Sequence, residues 1–436
     1  MASPFTPAAR VQALLDVEVA LAEALARAGV IPESSVAPIR TAARADLYDM
    51  AVLAADAERA GNLLIPVVQH LTTRVAAADA TAAGHVHWGA TSQDVMDTAL
   101  VLQLRAAVGD VVAALDRAAG AAADLARRHV DTPIAGRTWL QQATPTTFGL
   151  KAAVWLDGLA RSRQRLAAAL EGALVVQLGG ATGTLSSLGP AGAAVAAALA
   201  ALLDLLVPDI PWHTERGRLA EVACALGIAC GTLGKIGRDL ALLAQTEVGE
   251  AFAPAVPGRG GSSSMPHKRN PVAAATAAAG GVRAPGLVAT MLAAMPQEHE
   301  RACGGWQAEW DTLPALVDVA LQSARAMAEA LADLVVDAAR MQVNLDAAGG
   351  VARAEGLVTA LAPHLGRVNA RAIVEGACAR ALAGGRALAD VAAEEPLIVT
   401  HLDPTQISGA LDPAGFTGSS RAFVDRVVER WQRKNV

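Results

Sequence analysis

Residues 260–271, GGSSSMPHKRNP, gather groups that can act on an anion. Gly258, Gly260 and Gly261 permit a mobile backbone and close approach. Ser262, Ser263 and Ser264 bring three hydroxyls and successive backbone N–H donors, the makings of an anion nest. Lys268 and Arg269 add fixed positive charge, and the Asn270 amide both donates and accepts. Pro271 stands where a helix can begin. His267 tunes the loop's charge, meets the ligand or caps that helix. The sum is an anion-binding lid with a reactive hydroxyl; a solvated surface linker is the competing reading.

Three further polar stretches interrupt the chain: 84–98 (GHVHWGATSQDVMDT), 131–147 (DTPIAGRTWLQQATPTT) and 177–190 (QLGGATGTLSSLGP). The first carries His85 and His87, of which His87 is the site candidate and His85 the structural one. The third lacks a GxGxxG pattern, follows a helical run and carries no nucleotide role. Arg301, beside His299 and Glu300, reads equally as a substrate cation or a helix-end salt bridge. Trp306 and Trp310, four apart, read as packing residues. Glu18 lies close to an apolar helical stripe and reads first as a helix charge paired with a neighbour. No histidine–carboxylate cluster has metal spacing, so no metal is expected. Cys224, Cys230, Cys303 and Cys378 show no CxxC pair and read as core thiols of a cytoplasmic protein.

These loops need a scaffold, and the composition names it. Hydrophobic residues are 53% of 436 but aromatics only 3%, because alanine dominates; that favours helices over a β-sandwich. Val11, Leu14, Leu15, Val17, Leu21 and Leu25 recur at helical spacing within 10–32, closed by Gly29 and Pro32. Helical patterns continue through 40–80, and long ones occupy 151–176, 191–206, 215–252 and 272–295. The fold class is therefore all-α, a bundle of very long helices. The expected domains are an N-terminal helical domain (1–105), a central long-helix bundle (106–345) and a small helical C-terminal domain (346–436), where glycine pairs break the pattern.

A net charge of −6 without a basic tract argues against nucleic acid as a partner. The N-terminus has no signal-peptide pattern. The apolar run 188–208 is mostly alanine and ends near Asp204, so it reads as a buried helix; no membrane partner is expected.

GSSSMPHKRNP (261–271) resembles the signature loop of the fumarase/aspartase superfamily, nearly unbroken over eleven residues of unusual content. HWGATSQDVMDT (87–98) and GRTWLQQATPTTFG (136–149) resemble the superfamily's two earlier segments, in order. The resemblance covers essentially the whole chain. It implies a three-domain all-α fold, a homotetramer with each active site built from three subunits, and no cofactor. It implies elimination or addition next to a carboxylate, with Ser262 as the catalytic base or proton donor and Lys268 and Asn270 holding the carboxylate and stabilising a dianion.

Two departures narrow the reaction. Relatives handling poor leaving groups carry a histidine after the threonine of the second segment and a glutamate beyond the loop lysine; here Trp139 and Ala275 stand there. A carboxylate leaving group departs as a stable anion and needs no such acid. Read backwards, that reaction is lactonisation. GRTWLQ, QEHERACGGWQAEWDTLP (297–314) and LDPAGFTG (411–418) resemble the carboxymuconate-lactonizing branch, with Gln142 where its members often have histidine. The expected substrate is the tricarboxylate 3-carboxy-cis,cis-muconate of aromatic degradation. His87, Thr91, Ser92, Arg137, Thr138, Gln141, Ser263, His267 and Arg301 are expected to bind it, with Trp139 walling the pocket. An adenylosuccinate lyase-like nitrogen lyase and a catalytically inactive helical scaffold are the alternatives.

Overall fold

A computed structural model describes residues 4–253 and 260–433; Gly258 lies outside them. The described chain forms eighteen α-helices and two small antiparallel sheets, in keeping with the all-α expectation. It divides into two compact units.

The first unit comprises Met1–Ala113, Ser162–Gly231 and Gly280–Gln322. Its helix α1 (Pro7–Arg27) starts three residues before the expected 10, because the Thr6 hydroxyl caps Ala9 N–H at 3.3 Å and Pro7 suits the first turn. It stops at Arg27 rather than 32, and Gly29 supplies the left-handed residue that turns the chain (φ 71°). Its stripe of Val11, Leu14, Leu15, Val17, Leu21 and Leu25 is buried and packs on helix Gly192–Leu203. That helix is the core of the apolar run 188–208. Twelve residues span about 18 Å, too short for a bilayer core of about 30 Å. It ends where Asp204 adopts φ 53°, and Arg105 Nη1 donates to the freed carbonyls of Leu203 (2.9 Å) and Asp204 (3.0 Å).

The second unit comprises Ala114–Arg161, Thr232–Ala279 and Ser323–Val436. Here the stretch 131–147 departs from its reading as a polar break. It forms a β-hairpin, β1 (Pro133–Thr138) on β2 (Gln141–Thr147), with a register shift between Ala135 and Arg137. Gly136 is required at the shift, since a Cβ there would sit 2.5 Å from the Thr144 carbonyl oxygen. The hairpin packs on helix Ala338–Asp346. The helix expected over 215–252 spans only Gly217–Leu243; a turn through Gly249 (φ 62°) then leads into strand Ala251–Phe252. Residues 357–411 close a separate core around Leu357, Leu361, Val374, Leu388 and Ile398.

Three helices, Ser92–Arg128, Gly217–Leu243 and Val272–Ala293, are long and apolar enough to cross a membrane by length and composition. Of the four thiols, Cys230 is buried and Cys224 and Cys378 are half-buried, but Cys303 is exposed and so is not a core thiol.

Candidate active site

In the first unit the segment 84–98 folds back so that two buried carboxylates hold it. Glu18, on α1 and 1% exposed, meets His87 Nδ1 at 2.6 Å. Its pairing is thus with a residue 69 positions away, not with a neighbour on its own helix. His87 has φ 57°, a left-handed backbone unusual for a residue with a Cβ. Burial pushes its pKa down, but the charge and hydrogen bond of Glu18 and the charge of Asp94 outweigh that, and the net direction is up.

Asp94 is the second carboxylate. It accepts from Thr91 N–H (2.9 Å), Gly179 N–H (2.8 Å), Gly180 N–H (2.9 Å) and His213 Nε2 (2.7 Å). The glycine-rich stretch 177–184 is therefore a cradle for an acid of its own chain. A Cβ on Gly179 would meet His213 Cε1 at 2.7 Å, and Gly180 has φ 70°. Fixed in this way, Thr91 and Ser92 stand at the N-terminus of the 37-residue helix Ser92–Arg128, where the helix dipole and free N–H groups favour an anion.

Behind them lies a buried network. Arg216 pairs with Asp97 (Nη1–Oδ2 2.7 Å) and with Glu309 (Nε–Oε1 3.0 Å), and its guanidinium lies 5.0 Å from the Trp212 ring centre. Burial raises the Glu309 pKa against the pull of Arg216. Trp306 Nε1 donates to Asp97 at 3.2 Å and its ring meets Trp310 edge-on, which is the packing role expected of this pair. Arg301 Nε donates to Gln93 Oε1 at 3.2 Å, and Gln93 passes the link to Asp97 at 3.1 Å. Among the described residues Arg301 has no carboxylate partner, and its buried Nη2 has no hydrogen-bond partner. A helix-end salt bridge is therefore not what holds it.

In the second unit the signature loop is closed on itself. Gly261 and Arg269 form an antiparallel bridge, and Asn270 N–H donates to the Gly260 carbonyl at 2.8 Å. Inside this turn Ser262 Oγ accepts from Met265 N–H at 3.1 Å and Ser264 N–H at 3.4 Å. Ser263, His267, Lys268 and Asn270 are exposed. Lys268 and Asn270 line a cavity of about 1470 Å³; Ser262 is not among its lining residues. Four cationic residues (Arg117, Lys268, Arg269 and Arg325) and two acidic ones (Glu329 and Asp333) line it, giving a positive excess in a negative chain.

The hairpin holds the remaining expected residues. Arg137 is committed to Glu250 in a two-point pair (2.8 and 2.7 Å), and Asn344 Nδ2 donates to the same carboxylate at 2.8 Å. Both Arg137 terminal nitrogens thus serve this pair. Gln142 Nε2 donates to the Asn344 carbonyl at 2.9 Å, so this residue ties the hairpin to helix Ala338–Asp346. The turn residues Trp139 and Leu140 both have positive φ (53° and 63°) and are 97% and 77% exposed. Within the chain Trp139 neither walls a pocket nor packs between helices. Thr138 and Gln141 flank it, exposed.

The sequence reading missed Asp94, the Glu18 partnership and the Arg216 network. The one available signal was an acid inside an apolar stripe, as at Glu18. No group of three or more metal-ligating side chains occurs among the described residues.

Residues 1–286 match the family model described as Lyase, and residues 350–427 the model described as Adenylosuccinate lyase C-terminus. A 3-carboxy-cis,cis-muconate cycloisomerase of Pseudomonas aeruginosa is 52% identical over 98% of this chain and 93% of its own. One of Bradyrhizobium diazoefficiens is 50% identical over 97% of this chain and 94% of its own. The crystal structure of the 3-carboxy-cis,cis-muconate lactonizing enzyme from Pseudomonas putida superimposes with a TM-score of 0.95 at 46% identity, covering 99% of this chain and 97% of that one. With its signature loop, long helices and end-to-end similarity to these enzymes, the chain belongs to the Lyase family of the fumarase/aspartase superfamily.

Proposed function

We propose that the protein is a 3-carboxy-cis,cis-muconate cycloisomerase that forms 4-carboxymuconolactone without metal or cofactor. The observation that carries this reading is the donor pair on Ser262 Oγ, set in one closed loop with Lys268 and Asn270. Backbone N–H groups aimed at an oxygen favour its anion, so Ser262 can give up a proton and take one back. The substrate's distal carboxylate oxygen adds to the carbon bearing the 3-carboxylate, and a C–O bond forms. The alkene electrons move to the neighbouring carbon and its carboxylate, and Ser262 delivers a proton to that carbon. Solvent reprotonates the serine oxygen, so the enzyme is restored and the ionised substrate gains one proton overall as one of its carboxylates becomes the lactone ester. Lys268 and Asn270 hold the carboxylate that bears the developing charge, where preset donors contribute most. The nucleophile is already tethered, which removes an entropic barrier.

Thr91, Ser92, His87 and Arg301 serve the remaining carboxylates, supported by the helix N-terminus and the unpaired Arg301 Nη2. Ser263 and His267 contribute from the signature loop, and Thr138 and Gln141 from the hairpin beside Trp139. Arg137 acts by holding the hairpin through Glu250. Trp139 and Ala275 stand where a leaving-group acid would be, which favours this reaction over nitrogen elimination.

The assembly is a homotetramer in the cytoplasm, with no membrane or nucleic-acid partner and sites shared between subunits. The bare apolar tip Trp139–Leu140 and exposed Val282 (66%) and Leu292 (45%) on helix Val272–Ala293 support it. Of the three proposed domains, the C-terminal one (346–436) is supported by the separate core of residues 357–411.

The test is the ultraviolet band of the conjugated diene, followed as purified protein meets 3-carboxy-cis,cis-muconate without added metal. Wild type abolishes the band and Ser262→Ala does not. A band that persists with wild type removes this substrate.

A further inference from the structure

Glu18 is out of place by every local rule. It occupies the buried face of α1 among Leu14, Leu15, Leu21 and Ala22. A charge there is costly unless something specific answers it. Its answer is single: Oε1 meets His87 Nδ1 at 2.6 Å, and Oε2 is buried with no partner among the described residues.

His87 is equally constrained from its own side. It holds a left-handed backbone at φ 57°, two residues before Gly89 at φ 78°. A non-glycine residue persists there when its surroundings over-determine it. The other charged group acting on it is Asp94, on helix Ser92–Arg128. Asp94 is occupied by three backbone N–H groups and His213, so it acts on His87 through charge without a hydrogen bond. The direction of hydrogen bonding at His87 is thus decided by Glu18 alone. His87 Nε2 has no hydrogen-bond partner among the described residues. Thr91 and Ser92 follow four and five residues later, at the helix N-terminus.

We propose that Glu18 is a positioning residue for the reaction: it holds the Nδ1 proton of His87 and leaves Nε2 as the donor that meets a substrate carboxylate. This rests on the cycloisomerase reading for its substrate but not for its geometry. The acid acts through the imidazole and touches no reacting atom. A carboxylate behind a histidine fixes both its ring orientation and its protonation. The imidazolium it favours is the form that binds an anion.

The experiment has two arms. In the first, histidine-selective labelling and NMR follow His87 across pH in the whole protein, with His87→Gln to assign it. Wild type is expected to titrate above the ordinary 6.5, with the proton held at Nδ1. Glu18→Gln is expected to lower that midpoint, because the charge and hydrogen bond that raise it are removed. In the second, kcat/KM on 3-carboxy-cis,cis-muconate is measured across pH. Glu18→Gln is expected to lose about ten- to a hundredfold above neutrality, through KM, and to recover toward acid pH; Glu18→Asp restores part of the loss.

A wild-type His87 that titrates at or below 6.5 overturns the proposal, even if no Glu18 variant folds. So does an unmoved midpoint in Glu18→Gln, or a loss of equal size at every pH, which is the mark of a merely structural tie. If wild type turns over no muconate, the substrate reading fails, and the first arm alone still decides for or against Glu18.

Discussion

Arg137 and Glu250 form a two-point ion pair across 113 residues, with the carboxylate 0% exposed. The pair fastens the hairpin whose tip carries Trp139. Parallel N–H···O bonds fix orientation as well as distance.

Removing Arg137 therefore strands a buried charge. Arg137→Met is expected to cost about 3–5 kcal/mol of stability, read by urea denaturation. Arg137→Lys is expected to recover only part, because an ammonium cannot make the two-point contact. A Met variant as stable as wild type would show that the pair has no structural role.

Among the described residues, the Ser262 hydroxyl makes hydrogen bonds only within its own turn. Ser262→Ala is expected to lower kcat by at least about a hundredfold while stability stays within about 0.5 kcal/mol. Retained turnover would move the proton-transfer role to another group.

The turn at Trp139–Leu140 places two side-chain-bearing residues where Asn-Gly is favoured. Each costs roughly 1–2 kcal/mol in that conformation. Replacing the pair with Asn-Gly is expected to raise hairpin stability, read by hydrogen exchange of β1 and β2, while kcat/KM falls. Activity unchanged by the exchange would show that the tip is not a pocket wall.

Burial pushes the Cys230 thiol up to about 12, so at pH 8 only about one molecule in ten thousand carries its thiolate. Iodoacetamide is expected to label exposed Cys303 in the native protein and Cys230 only after unfolding, as peptide mass spectrometry would show. Early labelling of Cys230 would mean that its helix opens readily.

The scaffold and the loop were legible because both are written locally. Alanine and the Val11–Leu25 spacing dictate helix, and the 261–271 chemistry lies within eleven residues. The hairpin was not legible: β1 lacks an apolar alternation, and Trp139–Leu140 hides the turn signal. The polar interior was not legible either. Glu18 finds His87 69 residues away, Arg137 finds Glu250 at 113 and Arg216 finds Asp97 at 119. Such pairs follow from how helices stack, which side-chain spacing along one helix does not encode.

Asp94 answers to two distant stretches of chain at once, the Thr91 turn and the Gly179–Gly180 turn. For anyone grafting parts between relatives, these stretches form one exchange unit. A chimera that imports 84–98 without a matching 177–184 inherits an acid whose cradle was shaped for another chain. The fault would surface as a misplaced Thr91 and Ser92, in a protein whose helices are all still correct.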